Sequence, residues 1–169
     1  MGYQPQKLKM EHIAINATDR RGRYEELIPQ LEALLSGEKD LIACLANSAA
    51  AIQSCFQFHW TGFYLVKDAE LVLGPFQGPV ACTRIGLGKG VCGTAWKEAR
   101  TLVVPDVELF PGHIACSALS RSEIVVPVFR ENRVVAVLDI DSSQPDDFSH
   151  TDQEALENIT GILSEKFSA

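Results

Sequence analysis

The tract Pro111-Gly112-His113-Ile114-Ala115-Cys116-Ser117-Ala118-Leu119-Ser120-Arg121-Ser122 sets Cys116 between a turn and an extended run that opens at Glu123-Ile124-Val125-Val126. By pattern, a cysteine there is not a core filler. Cys82 and Cys92 flank a second, glycine-punctuated stretch, so three thiols fall on connections in the half of the chain that reads as sheet. Two chemistries suit such thiols. In thiol redox chemistry one thiolate attacks and a second thiol displaces the product, which requires loops that converge until two Cα atoms lie roughly 4.4–6.8 Å apart. The other is a zinc site built from Cys82, Cys92 and Cys116 with His113 as a fourth ligand, but the spacing contains no Cys-x-x-Cys knuckle. Redox chemistry is therefore the favoured reading, and no metal is expected.

Acidic and aromatic residues accompany these thiols. Glu123 follows the Cys116 tract, and Val137-Leu138-Asp139-Ile140-Asp141 ends an apolar strand with two carboxylates at period two. That spacing turns Asp139 and Asp141 to one face, either as an exposed strand end or as an anionic patch for a ligand's ammonium group. Trp60 and Tyr64 also share a face, as core packing or as an apolar wall for a methyl or thioether group with polar handles at its rim. Gly86-Leu87-Gly88-Lys89-Gly90 invites a phosphate-loop reading, but it lacks P-loop spacing and no long apolar helix follows. It reads as a turn that positions Val91 and Cys92.

The elements that must hold these groups follow from periodicity. Apolar positions from Tyr24 to Leu35 repeat at helical spacing and stop at Ser36-Gly37. Leu41, Ile42, Leu45, Ala49, Ile52 and Phe56 continue that spacing, with Cys44 and Cys55 beside the stripe as small buried hydrophobes. The rhythm then changes to extended runs at 59–66, 71–76, 84–87, 101–104, 124–129 and 134–140, rich in β-branched and aromatic residues. Lys67-Asp68 and Arg130-Glu131-Asn132 are hairpin-like connections, which predicts a largely antiparallel sheet. Pro127 cannot donate to a ladder and predicts an edge or a bulge. A short helix is expected over 94–99, and a long one closes the chain. Ser149 and Asp152 form a capping-box-like start to it, and Leu156, Ile159, Leu163 and Phe167 its inward stripe. The order predicts an α+β fold: a central, largely antiparallel sheet with the N- and C-terminal helices packed on one face.

With 169 residues the chain suits one domain with its own core, so a scaffold of structural disulfides is not needed. We expect a single domain over 1–169, with an N-terminal extension over 1–20. Lys+Arg 15 against Asp+Glu 22 gives a net charge of −7, which argues against a nucleic-acid surface and favours a small solute or a protein partner. Met1-Gly2-Tyr3-Gln4-Pro5-Gln6 shows no secretion signal and no long apolar run follows, so a cytoplasmic protein with reduced or redox-active thiols is expected.

Several segments together resemble the free methionine-R-sulfoxide reductase family, a group of GAF-domain enzymes. They are Trp60-Thr61-Gly62-Phe63-Tyr64, Gly78-Pro79-Val80-Ala81-Cys82, Gly88-Lys89-Gly90-Val91-Cys92-Gly93, His113-Ile114-Ala115-Cys116, Ser122-Glu123-Ile124-Val125 and Leu138-Asp139-Ile140-Asp141. The resemblance implies a GAF-like fold and reduction of free methionine-(R)-S-oxide to methionine, without metal or organic cofactor and with electrons from thioredoxin. It makes Cys116 the nucleophile that becomes a sulfenic acid and Cys82 the thiol that condenses with it. Cys92 is either a secondary resolving thiol or a residue shaping the pocket. Beside these, Glu123 suits the acid that protonates the departing sulfoxide oxygen, and Asp139 and Asp141 suit the substrate ammonium. Neighbouring carboxylates, however, disfavour a thiolate.

GAF domains often pair through terminal helices, so a homodimer is an expectation. The chain departs from the family pattern at Ser117, where an aspartate commonly follows the nucleophile, and at Leu119 and Arg121. Arg121 could favour the thiolate, bind the substrate carboxylate or face solvent. The competing reading is a GAF module that binds a small ligand or senses redox state without turnover.

Overall fold

The computed structural model describes residues 12–112 and 117–167. Helix α1 (Arg20–Leu35) begins on the side chain of Asp19, which accepts from the Gly22 N–H at 2.9 Å. Helix α2 (Leu41–Phe56) begins in the same way on Asp40, which accepts from Ala43 N–H at 2.9 Å. Such caps satisfy amide groups that the first helical turn leaves unpaired. Tyr24, Leu27, Leu31 and Leu35 form the buried stripe of α1, and Cys44 and Cys55 are buried along α2, as the periodicity predicts.

Six strands follow: β1 (Trp60–Lys67), β2 (Glu70–Gln77), β3 (Arg84–Gly86), β4 (Leu102–Val104), β5 (Ser122–Arg130) and β6 (Arg133–Ser142). They form one sheet in the order β3-β2-β1-β6-β5-β4, with every pairing antiparallel. The β5–β6 hairpin turns through Glu131 (φ 48°) and Asn132 (φ 63°), the two positive angles that a tight turn matched to strand twist requires. Pro127 pairs with Val137 on one side, while β4 covers only Glu123–Val125 on the other. Pro127 therefore sits where β5 has become the sheet's edge, next to an irregularity at Val128/Phe129.

Helix α3 (Gly90–Glu98) separates β3 from β4, and α4 (His150–Ser164) closes the chain. At the start of α4 the Asp152 carboxylate accepts from the Ser149 N–H at 2.8 Å. It also accepts from the Tyr24 hydroxyl at 3.0 Å, which ties α4 to α1. Residues of α1, α2 and α4 form one apolar cluster with Phe63, Leu65, Ile124, Val126, Leu138 and Ile140 of the sheet. The opposite face carries Trp60, Tyr64, Val125 and Val137 in a second cluster with Val91, Cys92 and Ala95 of α3. Among the described residues no helix is long and apolar enough to cross a membrane.

One element differs from the sequence reading in a way that bears on the site. The helix expected over 94–99 begins at Gly90, which places Cys92 in its first turn rather than on a connection. Gly93, which falls just outside the expected helix, lies within α3 and permits close packing. A Cβ on Gly93 would meet the Gly86 carbonyl oxygen at 2.3 Å, so only glycine lets α3 lie against the turn that precedes it.

Candidate functional site

Strand alternation gathers the predicted carboxylates. Asp139 and Asp141 occupy the face of β6 turned away from α1, α2 and α4, and Glu123 of β5 lies directly opposite Asp141. Across β1 the register sets Trp60 against Asp141 and Gly62 against Asp139. Like charges opposed on neighbouring strands repel, and this group is also buried: Glu123 and Asp139 are each 6% exposed. Burial, followed by Asp139 and Asp141, pushes the Glu123 carboxyl well above the ordinary carboxylate range. Burial, followed by Asp141, does the same to Asp139, with Cys92 and Glu123 opposing that shift through hydrogen bonds. The Glu123–Asp139 pair therefore retains a proton where exposed carboxylates would not.

From α3, Cys92 points into this acidic row, its Sγ 4.0 Å from Glu123 Oε1. Its thiol is also pushed well up, first by burial and then by Asp139 and Glu123. It is a buried, protonated thiol, not an activated one. The ligand-type atoms of Cys92, Glu123 and Asp139 lie within 4.8 Å of one another, so these are the described residues that could hold a metal ion. An incoming ion would have to displace the protons they retain.

Two small cavities meet at Tyr64, Asp139 and Asp141. The first, of about 30 Å³, is lined by Cys92, Glu123, Lys89 and Ser120 besides those three. The second, of about 20 Å³, adds Trp60, Pro79, Val80, Ala81 and Ser117. Asp139 Oδ1 is buried with no hydrogen-bond partner among the described residues. A buried acceptor without a donor is costly, and a cationic donor entering the cavity would relieve that cost. A larger groove of about 680 Å³ runs between α4 and β5 on the helical face, and no cysteine is among its lining residues.

The aromatic wall is present, and its polar handles are already engaged. Trp60 stacks between Tyr64 and Phe76, with centroids at 5.9 and 5.3 Å. The indole N–H donates to Pro79 O at 3.1 Å, and the Tyr64 hydroxyl donates to Cys82 O at 3.0 Å. These two bonds pin the segment that carries Cys82 against β1. Cys82 is disulfide-bonded, whereas Cys44, Cys55 and Cys92 are free. Cys116 and His113 lie outside the described residues. Of the departures from the family pattern, Ser117 lines the second cavity, while Leu119 and Arg121 are exposed. Arg121 takes the solvent-facing alternative.

Lys89 and Ser120 line the first cavity without having been singled out as site residues, and His59 binds Ser117 at 2.9 Å. Neither a lysine within a glycine turn nor a bond between positions 58 apart leaves a periodic signal in sequence.

A GAF domain model matches residues 38–165. Among curated proteins, GAF domain-containing protein A of Dictyostelium discoideum is 53% identical over 154 residues, covering 90% of this chain and 98% of that protein. The free methionine-R-sulfoxide reductase of Escherichia coli is 44% identical over 141 residues, covering 83% of this chain and 86% of that protein. Among solved structures, the free methionine-R-sulfoxide reductase of Neisseria meningitidis in complex with its substrate superposes with a TM-score of 0.92 at 49% identity. The match covers 94% of this chain and 96% of that one.

Proposed function

The chain belongs to the free methionine-R-sulfoxide reductase family of GAF-domain proteins, and on that premise we propose that it reduces free methionine-(R)-S-oxide to methionine. The observation that carries the reading is the row of buried Glu123 and Asp139 with half-buried Asp141, beside an aromatic wall whose hydroxyl holds the backbone of a disulfide-bonded Cys82.

The chemistry follows from the states of these groups. The Cys116 thiolate attacks the sulfoxide sulfur, the oxygen passes to Cys116 as a sulfenic acid, and methionine leaves. The departing oxygen needs a proton during attack, and Glu123 holds one because it is buried among carboxyls. Before substrate binds, the same retention of a proton eases the conflict between a thiolate and nearby acids, and in the occupied site the substrate ammonium offsets their charge. The substrate ammonium supplies the donor that Asp139 Oδ1 lacks, and its positive charge favours ionised Asp139 and Asp141. Trp60 and Tyr64 enclose the S-methyl end.

Cys82 then attacks the sulfenic sulfur, expelling water and forming the Cys82–Cys116 disulfide. A dithiol protein of the thioredoxin type returns both thiols, so no organic cofactor or metal enters the cycle. Cys92 acts as a pocket group rather than the resolving thiol, since its proton is held firmly. Cavities of about 30 and 20 Å³ fall far below the roughly 300 Å³ of ordinary ligand pockets, so the site must widen to admit an amino acid. An ammonium site walled in this way also excludes a methionine sulfoxide whose nitrogen is tied into a peptide.

The test is NADPH oxidation coupled through thioredoxin and its reductase, with free R-sulfoxide, free S-sulfoxide and a peptide-bound sulfoxide compared. Turnover of the free R form alone is expected, with Cys116→Ser inactive. Turnover that survives Cys116→Ser would refute the mechanism. Stoichiometric ligand binding without turnover would instead establish the sensor reading.

A further inference from the structure

His59 stands immediately before β1, half-buried, with its Nε2 2.9 Å from Ser117 Oγ. Ser117 is joined to Cys116 by one peptide bond and lines the cavity shared with Trp60, Tyr64, Asp139 and Asp141. Its hydroxyl has a second task, accepting from the Leu119 N–H at 3.2 Å and so closing a local turn. One oxygen thus fixes the chain direction after Cys116 and ties that segment to the strand carrying the aromatic wall.

The bond does not depend on one protonation state of the imidazole. With Nε2 unprotonated, the ring accepts the Ser117 O–H. With Nε2 protonated, it donates to a lone pair of Oγ, and the other lone pair remains for Leu119. Further along the same strand, Trp60 and Tyr64 hold Pro79 O and Cys82 O at 3.1 and 3.0 Å. Residues of one strand and its lead-in therefore restrain the segments that flank both redox cysteines. Attack on sulfur is sensitive to placement, and an error of about 1 Å in a reacting group can cost on the order of 10²-fold in rate.

We propose that His59 is a positioning residue: its hydrogen bond to Ser117 tethers the Cys116 segment to β1 and aligns the thiol for attack. This rests on the reading of Cys116 as nucleophile. Arg121, the charged residue that the sequence sets nearest this segment, has an exposed side chain; its backbone pairs with Ser142 and Val107 four positions beyond Ser117, which leaves the His59 bond as the side-chain restraint on Ser117 itself.

The experiment is single-turnover methionine release by the reduced full chain with free methionine-(R)-S-oxide. It compares His59→Leu, His59→Gln, Ser117→Ala and the His59→Leu/Ser117→Ala pair, with thermal melts of each. Loss of one aligned hydrogen bond should slow release at saturating substrate about tenfold in His59→Leu and in Ser117→Ala. In His59→Leu the half-saturating concentration should stay within about twofold, because His59 does not line the cavity. His59→Gln retains a side-chain amide that can reach Ser117 and should recover to within about threefold of the parent. The pair should be no slower than Ser117→Ala, since both changes break the same bond.

A parent-like His59→Leu, a His59→Gln as slow as His59→Leu, or multiplicative losses in the pair would overturn the tether. If His59→Leu does not fold, Ser117→Ala and His59→Gln carry the comparison. The two readings fail differently. A parent protein that releases no methionine, or releases it without Cys116, refutes the reductase mechanism, whereas a Cys116-dependent parent with parent-like His59→Leu refutes only the tether.

Discussion

Glu123→Gln separates what the buried acid does for chemistry from what it does to the fold. Glu123 is 6% exposed, opposes Asp141 across the β5–β6 pair, and is pushed well above the ordinary range by burial, then by Asp139 and Asp141. In the unfolded chain the same side chain ionises near about pH 4.3. Above that pH and below the folded value, the folded protein keeps a proton that the unfolded chain has released. Stability then falls with rising pH by about 1.4 kcal/mol per unit for that one proton. Below the unfolded value both states are protonated and the penalty vanishes. Glutamine carries no such proton, so within the window the variant's stability curve should be shallower than the parent's by up to the same amount. At about 2–4 °C per kcal/mol for a domain of this size, the Tm advantage of the variant should widen by up to about 3–6 °C per pH unit. Urea unfolding of both proteins, reduced, at pH 5, 6, 7 and 8 measures this: titrations remote from the site cancel in the difference, while Asp139, which shares the proton with Glu123, sets how far the change in slope falls below one full proton. Methionine release by the same variant should fall by about 10²-fold or more, the usual contribution of a placed general acid. Parallel stability curves from pH 5 to 8 would refute a protonated Glu123, and unchanged release would remove it from the reaction.

Tyr64→Phe keeps the wall but deletes the bond to Cys82 O, so loss of free thiols after sulfoxide addition should slow by about tenfold while release of the first methionine does not. Gly62→Ala would bring a Cβ to 2.4 Å from Phe76 Cβ and 2.5 Å from Trp60 Cη2. It should lower stability by about 1–3 kcal/mol in urea melts and disturb the wall's stacking, read as a changed tryptophan emission. Cys92 should resist alkylation in the native protein at pH 8 and remain reduced in peptide mapping after one equivalent of sulfoxide, because burial and two carboxyls hold its proton. A Cys92 found oxidised would restore it as a resolving thiol.

What was legible in the chain was what repeats. Two-residue alternation put Asp139 with Asp141 and Trp60 with Tyr64, and both pairs share a face in the fold. Helical spacing located α1, α2 and α4, and Pro127 correctly marked the edge of β5. The start of α3 was missed because glycine was weighed by its backbone freedom, whereas Gly93 is required by a neighbour contact that only the folded chain creates. The upward shift of Glu123 and Asp139 was equally invisible. It arises from the opposition of β5 and β6 and from burial, neither of which is a property of the residues taken singly. The engagement of Trp60 and Tyr64 with Pro79 and Cys82 joins segments 19 and 18 positions apart and has no counterpart in local spacing.

The alternation along β6 also limits how this chain can vary. Leu138 and Ile140 belong to the helical core, and Asp139 and Asp141 between and beyond them belong to the site. A single residue inserted or deleted between the β5–β6 turn and Leu138 would exchange the two sets, driving carboxylates into the apolar layer and leucine and isoleucine into the site. Substitutions here can be absorbed one at a time, but length changes cannot. Glu131 and Asn132, at the end of the hairpin opposite Glu123 and Asp141, are therefore the residues that keep the reading frame of the active face.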